Sequence, residues 1–283
     1  MLRKNTVLSA VTGLTAATLI GGVAAAANIT VANGSFGTPT TTSYNAIFSN
    51  SQAVSPNNDY VTPANASNGF GWGAVMQSAN TTGNEGYWSI GNQTLANGGL
   101  TGGSGGYAGF VNGGTNLIYQ DLGAISPNTT YTLTVNVAQP QSGDFGNNTA
   151  DMATIALMDG QVVTSSASAS FQTGSGTSYA SFPPSSSDSE IASSTFAPAV
   201  STLTSETVSL TTGATATGDL TVILENSTPV VDSTGATIQS QVSFNNVQVT
   251  ASSVPAPATG LLAAVGIGSV VLLGRRRKMT NQA

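Results

Sequence analysis

Several short runs of the chain alternate apolar and polar positions with period two. From Tyr131 to Val137 the order is Tyr-Thr-Leu-Thr-Val-Asn-Val. An extended backbone turns successive side chains to opposite faces, so Tyr131, Leu133, Val135 and Val137 share one face and hydroxyls and an amide share the other. That is the pattern of a half-buried strand. Leu220–Leu224 reads as another strand. Val242-Ser-Phe244 and Val247-Gln-Val249 read as one more, and Asn245-Asn246 breaks its alternation as a β-bulge does. Ile155–Met158 and Gln161–Val163 flank Asp159-Gly160. Asp-Gly supplies the positive φ angles of a type I′ turn, so a hairpin is predicted there. No window has the 3.6-residue period of an amphipathic helix.

Polar, Gly-rich or Ser-rich stretches separate these runs. Gly69 to Gly114 carries Phe70, Trp72, Tyr87, Trp88, Tyr107 and Phe110 among many glycines. Ser165 to Ala199 is rich in Ser, Ala and Pro and reads as a long excursion or a poorly specified strand. No repeat of solenoid type is present. Short strands, polar turns and no helix predict an all-β chain built as a jelly-roll β-sandwich over residues 28–252.

The two ends depart from this pattern. Arg3 and Lys4 precede an uncharged apolar or small stretch from Val7 to Val23, and Ala25-Ala26-Ala27 follows. These are the parts of a secretory signal peptide, residues 1–27, with cleavage by signal peptidase expected before Asn28. At the other end, Val254-Pro255-Ala256-Pro257 breaks regular structure. Residues 258–274 are uncharged and mostly apolar, and Arg275-Arg276-Arg277-Lys278 closes the run. As a helix, 258–274 is about 25 Å long, near the thickness of a hydrocarbon core, and the basic cluster holds its end in the cytoplasm. Residues 28–252 are then expected outside, anchored at least transiently in the inner membrane.

This tail, residues 253–283, resembles the PEP-CTERM sorting signal. Val254, Pro255, Pro257, Leu261-Leu262, Gly266, Gly268 and Arg275–Arg277 match its motif, apolar helix and basic cluster, and Ala256 stands where Glu is usual. The resemblance implies an exosortase-type membrane protease as partner, and a place on the outer surface or in the extracellular matrix of a Gram-negative bacterium that makes polysaccharide. Asn33-Gly34-Ser35-Phe36, Tyr119–Gly123 with Pro127–Val135, and Val242–Val247 resemble the opening, central and closing strands of jelly-roll carbohydrate-binding modules. That resemblance implies a candidate structural Ca²⁺ near the chain ends, at Asn33 and Asn245. Gly37 and Asn245 stand where Glu and Asp are usual.

Charge narrows the chemistry. The six basic residues are Arg3, Lys4 and Arg275–Lys278, so all twelve acids lie in a stretch without one Lys or Arg. Such a surface does not bind nucleic acid. There is no Cys and no His, which removes disulfides, thiol chemistry and the commonest general base. Gly102-Gly103-Ser104-Gly105-Gly106 fits the G-x-S-x-G nucleophile elbow, but without His it has no base and is read as an accident of glycine richness. A carboxylate pair for glycoside hydrolysis could come from Glu85, Asp121, Asp144, Asp151, Asp159 or Glu225, and no spacing selects two. Asp121 and Asp159 sit where turn acids sit. Trp72, Tyr87, Trp88 and Tyr107 have two readings, caps on the core or a stacking platform for sugar rings. The expectation is a non-enzymatic, exported surface or biofilm-matrix protein associating with extracellular polysaccharide. The alternatives are a carbohydrate-active hydrolase and a structural module with no glycan ligand.

Overall fold

A computed structural model describes residues 26–36, 60–61, 72–75, 85–89, 100–103, 107–113, 115–139, 151–164, 169–182, 188–229 and 240–254. The signal segment through residue 25, Asp144 and the tail from Pro255 onward lie outside the described residues. Among the described residues no helix is long and apolar enough to cross a membrane.

Two antiparallel sheets form a sandwich. Numbered in chain order, the first runs β12 (Thr204–Thr211), β7 (Thr129–Ala138), β14 (Gln241–Ser253), β5 (Tyr107–Asn112), β4 (Glu85–Ser89), with β1 (Ala27–Ile29) also on β14. The second runs β10 (Ser178–Tyr179), β9 (Ala169–Thr173), β8 (Ala153–Thr164), β13 (Asp219–Asn226), β6 (Asn116–Ala124), β3 (Gly73–Val75), β2 (Tyr60–Val61), with β11 (Ile191–Phe196) also on β8. From β5 to β8, and again from β11 to β14, each strand changes sheet, which is the crossing order of a jelly roll.

The alternation read in 131–137 is met. Tyr131, Leu133, Val135 and Val137 point between the sheets and pack with Ile155, Leu157, Val222, Leu224 and Phe244. β14 bulges between Asn245 and Gln248, and Asn246 has φ 53°. The bulge shifts the parity, so Val242 and Phe244 before it and Val247 and Val249 after it all face the core. In β13 both faces are buried. Val222 and Leu224 join the central cluster, and Ile223 joins a second one on the outer face with Leu117, Tyr119, Met158, Phe171 and Phe182.

Three expectations are corrected. Asp159-Gly160 is not a turn, because β8 runs straight through it. Before Gly160, β8 pairs with β13 and β11; from Gly160 onward it pairs with β9. Gly160 is needed at that change of partner, since a Cβ there would lie 2.1 Å from the Gln172 carbonyl oxygen. The Gly-rich stretch 69–114 holds β3, β4 and β5, and Ser165–Ala199 holds β9, β10 and β11. Sheet neighbours supplied the order that local composition did not predict.

Candidate functional site

Two surfaces stand out. The first is a cavity of about 360 Å³ at one end of the sandwich. β8 supplies Asp159, the turn between β9 and β10 supplies Gly174 and Ser175, and the approach to β11 supplies Ser189 and Glu190. The end of β12 and the following loop complete the wall with Thr211, Thr212 and Thr215.

Asp159 is only 3% exposed, so it is not the solvated turn acid that the sequence suggests. Its backbone is fixed on both sides: Asp159 N donates to the Glu190 carbonyl and Gly174 N donates to the Asp159 carbonyl, each at 2.8 Å. A Cβ on Gly174 or Gly218 would come within 2.5 or 2.1 Å of Asp159 Oδ1, so two glycines leave room for this carboxylate. Oδ1 itself has no hydrogen-bond partner among the described residues. Burial, with added repulsion from Glu190, Asp188 and Asp219, pushes the Asp159 carboxyl up to about 6, against a lowering hydrogen bond from the Gly218 backbone. Glu190 Oε2 accepts from Ser175 N at 3.2 Å and Ser175 Oγ at 2.6 Å. Asp188 accepts from Tyr179 Oη at 2.7 Å and from Glu190 N at 2.9 Å.

The second surface is the outer face of the first sheet. The polar halves of β7, β12 and β14 meet there in register. Thr130 lies opposite Thr211, Thr132 opposite Ser209 and Thr134 opposite Thr207, with hydroxyl–hydroxyl distances of 2.9, 2.9 and 3.4 Å. On the other side of β7 these threonines pair with Ser252, Thr250 and Gln248. All nine side chains are exposed or half-exposed and none is charged. Strands spaced about 4.8 Å apart, with same-face residues about 6.8 Å apart along each, make a hydroxyl grid. The Thr-x-Thr-x-Thr run at 130–134 was its signal in the sequence, read there only as the solvent side of a strand.

The other candidate residues are placed as follows. Trp72 is fully buried, stacked on Phe36 with ring centroids 5.4 Å apart, and its Nε1 donates to the Asn33 carbonyl at 3.4 Å. It is a core residue, and its ring has no open face for a sugar. Tyr87 and Trp88 take register positions opposite Gly109 and Ala108, and Tyr107 opposite Ser89. The side chains of these three lie outside the described residues.

Asn245 Nδ2 donates to the Ser35 carbonyl at 3.4 Å, which ties the 33–36 turn to β14 at the Asn33–Asn245 corner. Asp121 is not in a turn: it lies in β6 opposite Thr221, beside an irregularity in the pairing with β13, and its Oδ1 accepts from Gly123 N at 2.8 Å. Asp151 Oδ2 accepts from Gln241 N at 3.2 Å, and burial pushes its carboxyl up to about 6. Glu225 is wholly buried and neither carboxylate oxygen has a partner among the described residues, which pushes it up to about 8. Glu85 is known by its backbone position in β4. Glu190, missing from the sequence candidates, shares the cavity with Asp159. Among the described residues no three acidic side chains converge closely enough to hold a metal by themselves. Of the sorting motif only Val254 is described, and its N donates to the Asn128 carbonyl at 2.7 Å.

No protein-family profile and no curated protein matches the chain. Among solved structures it is similar to a CBM4 module at 13% identity and TM-score 0.35, covering 78% of this chain and 99% of that one. It is also similar to the enzymatically active domain of bacteriophage CBA120 tailspike protein 4, at 9% identity and TM-score 0.32, covering 59% of this chain and 17% of that one. A third is the Clostridium thermocellum endo-1,4-β-D-xylanase 10B CBM22-1–GH10 structure complexed with xylohexaose, at 9% identity and TM-score 0.32, covering 64% of this chain and 26% of that one. At such identity and overlap, the chain's own geometry has to carry the functional conclusion.

Proposed function

We propose that this chain is an exported, non-enzymatic surface or matrix protein whose β-sandwich associates with extracellular polysaccharide through the hydroxyl grid of β7, β12 and β14. The observation that carries it is the in-register array of Thr130, Thr132, Thr134, Thr207, Ser209, Thr211, Gln248, Thr250 and Ser252, exposed or half-exposed and free of charge. A neutral polysaccharide offers the same groups, and each donor or acceptor can be matched without desolvating an ion. A single such hydrogen bond contributes only about 1 kcal/mol net, so retention comes from many contacts along one polymer chain. The signal peptide and the tail at 253–283 would bring the sandwich to the outer surface, with an exosortase-type protease acting on the tail. The lack of His and Cys supports a non-catalytic role.

The test is retention on a panel of polysaccharides, with product analysis of the same samples. Thr132→Val, Thr134→Val and Thr207→Val together remove three hydroxyls while keeping shape and strand preference. The triple variant should lose retention and stay folded. Unchanged retention would remove the grid from the mechanism. A second reading has one observation behind it: Asp159 and Glu190 line the same cavity, and a carboxyl titrating at about 6 suits a general acid. Release of product, abolished by Asp159→Asn, would favour a hydrolase.

A further inference from the structure

The cavity between β8, the β9–β10 turn and the β12–β13 loop shares only Thr211 with the hydroxyl grid, and the Thr211 hydroxyl is turned to Thr130 on the grid side. We propose that it is a Ca²⁺ site, in which the carboxylates of Asp159 and Glu190 supply the charge and neighbouring hydroxyls, backbone carbonyls and water supply the remaining oxygens. Three observations converge on it.

The first is Asp159, a cavity-lining residue only 3% exposed, whose carboxyl takes a hydrogen bond from the Gly218 backbone but whose Oδ1 has no hydrogen-bond partner among the described residues. A buried carboxylate oxygen left without a donor is costly, and a cation is one of the few things that can satisfy it. The second is the like charge around it. Glu190, Asp188 and Asp219 all act on Asp159 in the direction of repulsion. Asp188 is engaged by Tyr179 and by the Glu190 backbone, which leaves Asp159 and Glu190 as the acids lining the cavity. No Lys, Arg or His occurs between Lys4 and Arg275, so the sandwich has no internal cation to offset them. The third is the wall. Ser189 and Thr215 bring hydroxyl groups to the lining, while the hydroxyls of Ser175, Thr211 and Thr212 are engaged by Glu190, Thr130 and the Ser126 and Thr129 carbonyls, and no soft ligand lines the space.

Hard oxygens in an irregular, roomy setting suit Ca²⁺, which accepts six to eight ligands in flexible geometry; Mg²⁺ demands a near-ideal octahedron. With two carboxylates, the site belongs with weak extracellular modules, with a Kd on the order of 10⁻⁴–10⁻³ M. Such a site would draw β8, β9, β11 and the β12–β13 loop together only where calcium is at extracellular levels.

The experiment uses the full-length protein in non-ionic detergent. CaCl₂ is titrated by calorimetry, and thermal melts are run in CaCl₂, MgCl₂, NaCl and methylammonium chloride at matched ionic strength. A saturable one-site heat is expected, with a Tm higher in CaCl₂ than in the other three salts. Asp159→Asn and Glu190→Gln should each weaken binding about tenfold or more, as expected when a charged ligand is lost. Glu190 sits at the cavity rim, half-exposed, so its variant folds even if Asp159→Asn does not. Asp121→Asn, at an exposed position of β6 outside the cavity, should bind as the parent does. The Thr132, Thr134 and Thr207 triple variant should also keep its calcium response, which separates this site from the grid. Equal melts in CaCl₂ and NaCl would overturn the proposal. So would calcium binding unchanged in both cavity variants, or methylammonium stabilising as much as Ca²⁺.

Discussion

Trp72 and Glu225 are both fully buried, and their chemistry makes burial mean opposite things. Trp72 fills the core against Phe36, so Trp72→Ala removes a large apolar contact and should cost roughly 3–5 kcal/mol, read from denaturant unfolding. A loss below about 0.5 kcal/mol would return Trp72 to the surface. Glu225 gains nothing from its surroundings. Its carboxyl titrates at about 8 against an ordinary 4.5, while Asp151 and Asp159 titrate at about 6 against 3.8. The folded chain thus holds these protons more tightly than the unfolded chain does. Their contribution to stability is fully present below about pH 4 and is lost as pH rises through about 6 and then about 8. Thermal melts across that range should show Tm falling with pH, and Glu225→Gln should flatten the upper part of the fall. A Tm that rises from about pH 5 to about pH 8 would contradict the burial of all three.

Among the elements, β14 gives the sharpest test of how pattern and pairing cooperate. Its bulge places one extra residue opposite β7, and Val247 N donates to the Gly34 carbonyl at 2.8 Å from that position. Removing Asn246 would leave Val-Ser-Phe-Asn-Val-Gln-Val, an unbroken alternation that keeps every apolar residue inward. The strand should therefore survive the deletion. The expected loss is that of docking the 33–36 turn, about 1–2 kcal/mol by chemical denaturation. Inserting one more residue after Asn246 either keeps the bulge and turns Val247 and Val249 outward or loses it and turns Asn246 into the core, and both should destabilise far more than the deletion. If the deletion is as damaging as the insertion, the bulge shapes the core and not only the turn. β8 offers a companion test. Gly160→Ala forces a Cβ against the Gln172 carbonyl and should destabilise the β8–β9 pairing by about 1–3 kcal/mol.

The molecule as a whole carries charge of one sign between its two basic ends. With every acid in that interior and no Lys or Arg beside them, mutual repulsion weakens the compact state and salt screens it over about 10 Å at 0.1 M. NaCl should raise the Tm, and a Tm that falls with NaCl would show that the acids are not in net repulsion. The same absence gives trypsin no site between Lys4 and Arg275, so even the denatured sandwich should survive digestion as one piece by mass spectrometry.

Faces, strands and charge sign were legible in the sequence because each depends on near neighbours along the chain. Period-two alternation at 131–137 marked the inward residues of β7, and its break at Asn245-Asn246 marked the bulge. The absence of interior cations needs no fold at all. Asp159 and Glu190 are different. They are thirty-one residues apart, and only the pairing of β8 with β11 brings them to one cavity. Asp159-Gly160 has the composition of a turn, yet β13, β11 and β9 give both sides of β8 a partner and hold it extended. The hydroxyl grid likewise exists because β12 and β14 flank β7 in register. Local propensity sets how a segment bends and which residues share a face. Which faces meet, and what a buried acid finds there, is decided by contacts between distant strands.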